Sequence, residues 1–135
     1  MARTNRLVAV VNHDLKYLDL VNEVLTEQGY RTIGLAIEDT AYDLIKRDLP
    51  ELVILDIRLE HPDAGLIVLD LMKIDPRTEK IPVIVCSVAT QWLRDMEKQL
   101  REYNCEILEK PFTREMLMAK VSAVLDSPRS YSNPT

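Results

Sequence analysis

Four places in this sequence carry side chains suited to receiving a charged group: Asn12-His13-Asp14, Asp56, Ser87 and Lys110. Each stands just past a short apolar run. Those runs are Leu7-Val8-Ala9-Val10-Val11, Leu52-Val53-Ile54-Leu55, Ile81-Pro82-Val83-Ile84-Val85-Cys86 and Glu106-Ile107-Leu108. A carboxylate, a hydroxyl and an ammonium on one rim suit the handling of an anion. Where anion must meet anion, positioning and charge neutralisation by a cation or a divalent metal carry the chemistry. Singly, each residue has a plainer reading. Asp56 closes an apolar strand, Ser87 satisfies a loop amide, and Lys110 is solvated. Their joint placement after successive strands argues against the plain readings.

The elements that must position these residues follow from periodicity. The apolar runs are short, continuous and branched, as strands covered on both faces are. Between them lie segments of helical spacing. Leu18, Val21, Val24 and Leu25 make one, closed at Gly29; Glu38-Asp39-Thr40 offer caps for another through Leu44 and Ile45. Gly65 opens a third, with Leu66, Leu69 and Ile74. Thr90 to Tyr103 makes a fourth, and Thr113 caps a last one with Leu117, Val121, Val124 and Leu125. With Tyr30 to Ala36 as the second strand, five strands alternate with five helices. This predicts an α/β domain over residues 6–126: a parallel sheet between two helical layers, of the flavodoxin-like order 2-1-3-4-5. In such a sheet, sites form beyond the carboxyl ends of the strands, where all four candidate positions lie.

Composition agrees with one small domain. The 135 residues are 47% hydrophobic and 29% charged, with a formal net charge of −5. That balance argues against protein-wide attraction to nucleic acid or an anionic membrane. Two cysteines without C-x-x-C spacing make no disulfide framework, and both read as buried thiols. No apolar run reaches signal-peptide or membrane length. Residues 127–135 read as a flexible tail or the start of a linker.

In this order and spacing, the motifs resemble a response-regulator receiver domain, the phospho-accepting module of two-component signalling. The matching pieces are Leu52-Val53-Ile54-Leu55-Asp56 followed by Gly65-Leu66, Pro82 through Ala89, and Lys110-Pro111-Phe112-Thr113. The resemblance implies that Asp56 is the phosphoacceptor, that Ser87 hydrogen-bonds a phosphoryl oxygen, and that Lys110 pairs with the phosphoryl charge. It makes the Lys110–Pro111 bond a cis candidate. It also implies Mg²⁺, held by an acidic pair after the first strand, by Asp56 and by the backbone carbonyl at Arg58. The implied partners are a histidine kinase or phosphotransfer protein and a downstream signalling protein, with homodimerisation through the last two helices and the fifth strand. The implied setting is the bacterial cytoplasm, with no enzymatic activity beyond self-catalysed phosphoryl transfer onto Asp56.

Three departures bear on that expectation. Asn12 and His13 stand where the acidic pair belongs, and only Asp14 beyond them is acidic. An amide oxygen can hold a metal-bound water, but imidazole is a poor Mg²⁺ ligand and is partly cationic near its pKa of about 6.5. The trio also reads simply as a helix N-terminus capped by Asn12 or Asp14. Glu60 stands where relatives place a proline, ahead of Pro62 and Gly65, so the loop after Asp56 is longer by about one residue. Ile107 occupies the switch position where many relatives carry an aromatic ring.

These departures predict Mg²⁺ binding, and metal-dependent phosphorylation of Asp56, that are weak or absent. The alternative is a pseudo-receiver acting purely as a protein-interaction module. A softer metal between His13 and Asp56 has only two evident ligands. A flavin or dinucleotide site would need a glycine- or hydroxyl-rich loop after the first strand, and Asn12 to Tyr17 contains none. Were these 135 residues a whole gene product, the signal would pass through the domain's own surface.

Overall fold

The computed structural model describes residues 6–12, 14–36, 40–59 and 63–126. The order is β1 (Leu7–Asn12), α1 (Leu15–Glu27), β2 (Arg31–Ala36), α2 (Ala41–Asp48), β3 (Leu52–Asp56), α3 (Ala64–Ile74), β4 (Val83–Ser87), α4 (Thr90–Glu102), β5 (Cys105–Glu109) and α5 (Arg114–Leu125). All five strands pair in parallel, in the order β2-β1-β3-β4-β5. This is the flavodoxin-like sandwich that the alternation predicts. None of the described helices is long and apolar enough to cross a membrane.

Covering both faces of the sheet explains the continuous apolar strands. β3 and β4 are buried along their whole length. Strand alternation sends successive side chains to opposite layers. Val8, Val10, Leu52, Ile54, Ile84 and Cys86 pack against α1 and α5. Ala9, Val11, Val53, Leu55, Val83 and Val85 pack against α2, α3 and α4. Of the helical stripe Trp92, Met96 and Leu100, Leu100 is buried and the other two pack partly buried against the core.

Capping fixes the helices nearest the strand ends. Asp14 caps α1 by accepting from the Lys16 N–H at 3.0 Å, and Thr113 caps α5 by accepting from the Met116 N–H at 3.0 Å. Asp63 caps α3, accepting from the Gly65 and Leu66 N–H groups at 2.9 and 3.2 Å. Thr40, expected among the caps of α2, makes no side-chain cap bond, because its own backbone is already helical. The other two expected cap residues, Glu38 and Asp39, lie outside the described residues, as do Glu60, His61, Pro62 and the tail 127–135. β4 begins at Val83, after Pro82, which has no N–H to give to a ladder.

One glycine sets how closely α3 approaches β3. A Cβ on Gly65 would stand 2.5 Å from the backbone oxygen of Asp56, so only glycine lets the helix start against that strand end. At Gly34 the obstacle is the amide end of the Asn22 side chain at 2.9 Å, which can swing away. Gly65→Ala should therefore cost about 2 kcal/mol in urea unfolding, whereas Gly34→Ala should stay within about 0.5 kcal/mol of the parent. Cys86 and Cys105 are free and buried, and burial pushes their thiols up to about 12 and about 11. Both should resist a thiol-specific reagent until the chain is unfolded. An unfolded thiol ionises near about 8.5, below either folded value. The cysteine contribution to stability is thus complete below that pH and is lost as the pH climbs through 11 to 12.

Candidate functional site

The carboxyl ends of β1, β3, β4 and β5 put the candidate residues on one rim, and strand parity sorts them there. Asp56 follows the alternation of Leu52 and Ile54, and Asn12 that of Val8 and Val10, so both belong to the α1/α5 layer. Cys86 lies in the same layer beneath them. Ser87 falls on the opposite parity, in register with Glu109 on β5.

The Asp56 side chain is 2% exposed. A carboxylate that deep needs compensation, because desolvating a charge costs several kcal/mol. Two cations supply it. The Lys110 ammonium, delivered by the turn after β5, donates to Asp56 Oδ1 at 2.7 Å. The Arg58 guanidinium, two residues further along the chain, brings Nε to 3.4 Å from Oδ2. Oδ2 itself is buried and accepts no hydrogen bond among the described residues. Lys110 is 15% exposed in its side chain, Arg58 42%.

The lysine is held from a third side. Its Nζ lies 4.2 Å from the centre of the Tyr17 ring, a cation–π contact across the site. Tyr17 meets Phe112 edge to face at 5.8 Å, tying α1 to the segment that carries Lys110. The Tyr17 hydroxyl is buried without a hydrogen-bond partner among the described residues. Burial, then the Cys86 thiol and the Asp56 carboxylate, holds it well above the ordinary tyrosine range. The Lys110–Pro111 peptide is cis, and the Lys110 N–H donates to the Ser87 carbonyl at 2.9 Å.

The remaining expected residues are placed less directly. Ser87 Oγ accepts from the Ala89 N–H at 3.0 Å rather than meeting Asp56, as its parity requires. Asn12 is buried, and its Oδ1 accepts from the Asp14 N–H at 2.9 Å. Asp14, not Asn12, caps α1, and its side chain faces outward. His13 lies outside the described residues. Ile107 is packed in the core against the α2–α4 layer, where an aliphatic side chain offers no ring to swing. On α4, Gln91 and Arg94 are exposed; Gln91 pairs with Asp95 and Arg94 with Glu109.

Sequence reasoning missed two members. Arg58 was valued for its backbone carbonyl, yet its guanidinium is what reaches Asp56. Tyr17 carried one available signal, an aromatic in the first turn of the helix after the site's first strand. Breaking the buried pair should be costly: Lys110→Met should destabilise by about 3 kcal/mol in urea unfolding. Asp56→Asn combined with Lys110→Met should regain at least about half of that loss, giving a coupling well above about 1 kcal/mol.

Comparisons with known proteins agree with this fold. The family described as "Response regulator receiver domain" matches residues 8–122. The polar-differentiation response regulator DivK of Brucella ovis is 27% identical over 123 residues, covering 90% of this chain and 97% of that protein. The phosphate regulon transcriptional regulatory protein PhoB of Klebsiella pneumoniae is 26% identical over 120 residues, 89% of this chain. The response regulator PleD of Caulobacter vibrioides is 30% identical over 105 residues, 78% of this chain. The match spans 52% of PhoB and 23% of PleD. Among solved structures, the receiver domain of NtrX from Brucella abortus superposes with a TM-score of 0.72 at 27% identity, covering 89% of this chain and 98% of that one. The chain belongs to the response-regulator receiver domain family of two-component signalling.

Proposed function

We propose that Asp56 is the phosphoacceptor position of this receiver, with Mg²⁺-dependent phosphorylation weak or absent. The observation that carries the reading is the charge set around Asp56. Two side-chain cations touch its carboxylate, and no second carboxylate among the described residues does. Mg²⁺ takes hard oxygens, one or two carboxylates with waters. Here Oδ2 faces a guanidinium, the Asn12 amide oxygen is committed to the Asp14 N–H, and the Asp14 carboxylate is turned outward onto the Lys16 N–H. Among the described residues no cluster of three or more His, Cys, Asp or Glu could hold a metal ion. That donor set does not fit Mg²⁺.

In this reading the domain acts in the cytoplasm and turns over no released substrate. Ser87 and Lys110 are the groups that would contact a phosphoryl oxygen. A histidine kinase or phosphotransfer protein docks at the Asp56 rim. A downstream signalling protein, or a second copy of the chain, docks on α4, β5 and α5. The core position of Ile107 favours the alternative, an interaction module that needs no phosphate, because ring rotation cannot report the state of Asp56.

Acetyl phosphate with 10-fold varied Mg²⁺ tests the reading by intact-mass measurement. The adduct of about 80 Da on Asp56 should stay substoichiometric and rise less than about twofold with Mg²⁺. Near-complete, Mg²⁺-dependent labelling lost in Asp56→Asn would overturn it.

A further inference from the structure

We propose that Arg58 supplies, in cis, the positive charge that a divalent ion would bring, so that Asp56 accepts a phosphoryl group from a small acyl phosphate without metal. This rests on Asp56 being the phosphoacceptor and adds the means by which it works.

The geometry assigns the two oxygens of Asp56 different tasks. Oδ1 is held by Lys110 at 2.7 Å, which fixes the carboxylate. Oδ2 is buried and accepts no hydrogen bond among the described residues, and the Arg58 guanidinium beside it at 3.4 Å is the half-exposed group that shifts as a phosphoryl donor arrives. Arg58 follows Ile57, which is fully buried and whose N–H extends the strand ladder to the Cys86 carbonyl at 2.9 Å. It precedes Leu59, whose φ of 62° is one that a bulky residue rarely adopts. The Leu59 N–H is bonded in turn to the Asp63 carboxylate that caps α3. The backbone is thus pinned on both sides of Arg58, while the side chain itself is 42% exposed. A planar guanidinium with several donors can move with an arriving phosphoryl group and bind two of its oxygens.

Charge and chemistry both close without a metal. At rest Asp56, Lys110 and Arg58 sum to a single positive charge. A phosphoryl group of about −2 on the then neutral acyl linkage brings the set to about zero. In the step, Oδ2 gives an electron pair to phosphorus. The bond from phosphorus to the bridging oxygen of the acyl phosphate breaks, and the donor's carboxylate leaves with that pair. No proton moves, nothing is oxidised, and total charge is unchanged. Lys110 and Arg58 offset the charge on the transferring oxygens from two sides.

The test is acetyl phosphate labelling followed by intact mass, in EDTA and in Mg²⁺, on the full chain and on Arg58→Gln, Arg58→Lys and Asp56→Asn. The expected result is a slow adduct of about 80 Da, equal in EDTA and Mg²⁺ and absent in Asp56→Asn. Its rate should fall at least about tenfold in Arg58→Gln and be partly restored in Arg58→Lys. No adduct in any arm overturns the inference while leaving weak or absent metal-dependent phosphorylation standing. Substoichiometric labelling in Mg²⁺ alone overturns the inference, and near-complete labelling in Mg²⁺ alone overturns both. Arg58→Gln labelling in EDTA as fast as the parent overturns the role of Arg58.

Discussion

Everything at this site depends on offsetting the burial of one carboxylate at a strand end with cations from other parts of the chain. Asp56 ends a strand buried on both faces, and the fold does not raise it toward solvent. A lone buried charge is not tolerated, so the fold brings an ammonium from the turn after the edge strand β5 to within 2.7 Å. That ammonium must itself be desolvated, and the Tyr17 ring takes the face that water would have taken. The tyrosine is steadied by Phe112, next but one to the lysine, so the aromatic pair and the ion pair lock α1 to the start of α5. Gly65 completes the enclosure by letting α3 begin against the Asp56 backbone.

Parity within the sheet divides the labour. Asp56 and Asn12 share the α1/α5 face with Cys86, whereas Ser87 sits one step out of phase and is held by the Ala89 amide. Ile107 lies on the same side as Val85, filling the core with an aliphatic side chain. That side chain offers no ring that could turn.

The charge at the rim is the reverse of what the family resemblance implies. An acidic pair with a divalent ion would surround the acceptor with negative ligands and one concentrated positive charge. Here the amide of Asn12 is turned to the backbone, and Arg58 sets a second diffuse cation against the acceptor oxygen. Among the described residues, two side-chain cations flank the Asp56 carboxylate.

The fold was legible because burial on both faces writes itself as continuous branched runs, and because caps such as Asp14 and Thr113 mark helix starts locally. The rim position of Asp56, Ser87 and Lys110 followed from the rule that sites gather at strand ends. What could not be read was the pairing across it. Asp56 and Lys110 are 54 residues apart, and Tyr17 comes from α1, far from both in the chain. Arg58 carried an expectation for its backbone carbonyl alone, because nothing in its neighbours says that its side chain folds back. Sequence by itself determined which residues stand at the ends of which strands, since alternation and apolar runs are local. Only the tertiary structure decided that Arg58 and Tyr17 close on Asp56 and Lys110 while Ser87 turns away. Those contacts depend on strand order, on side-chain parity and on how closely α1 and α3 approach the sheet.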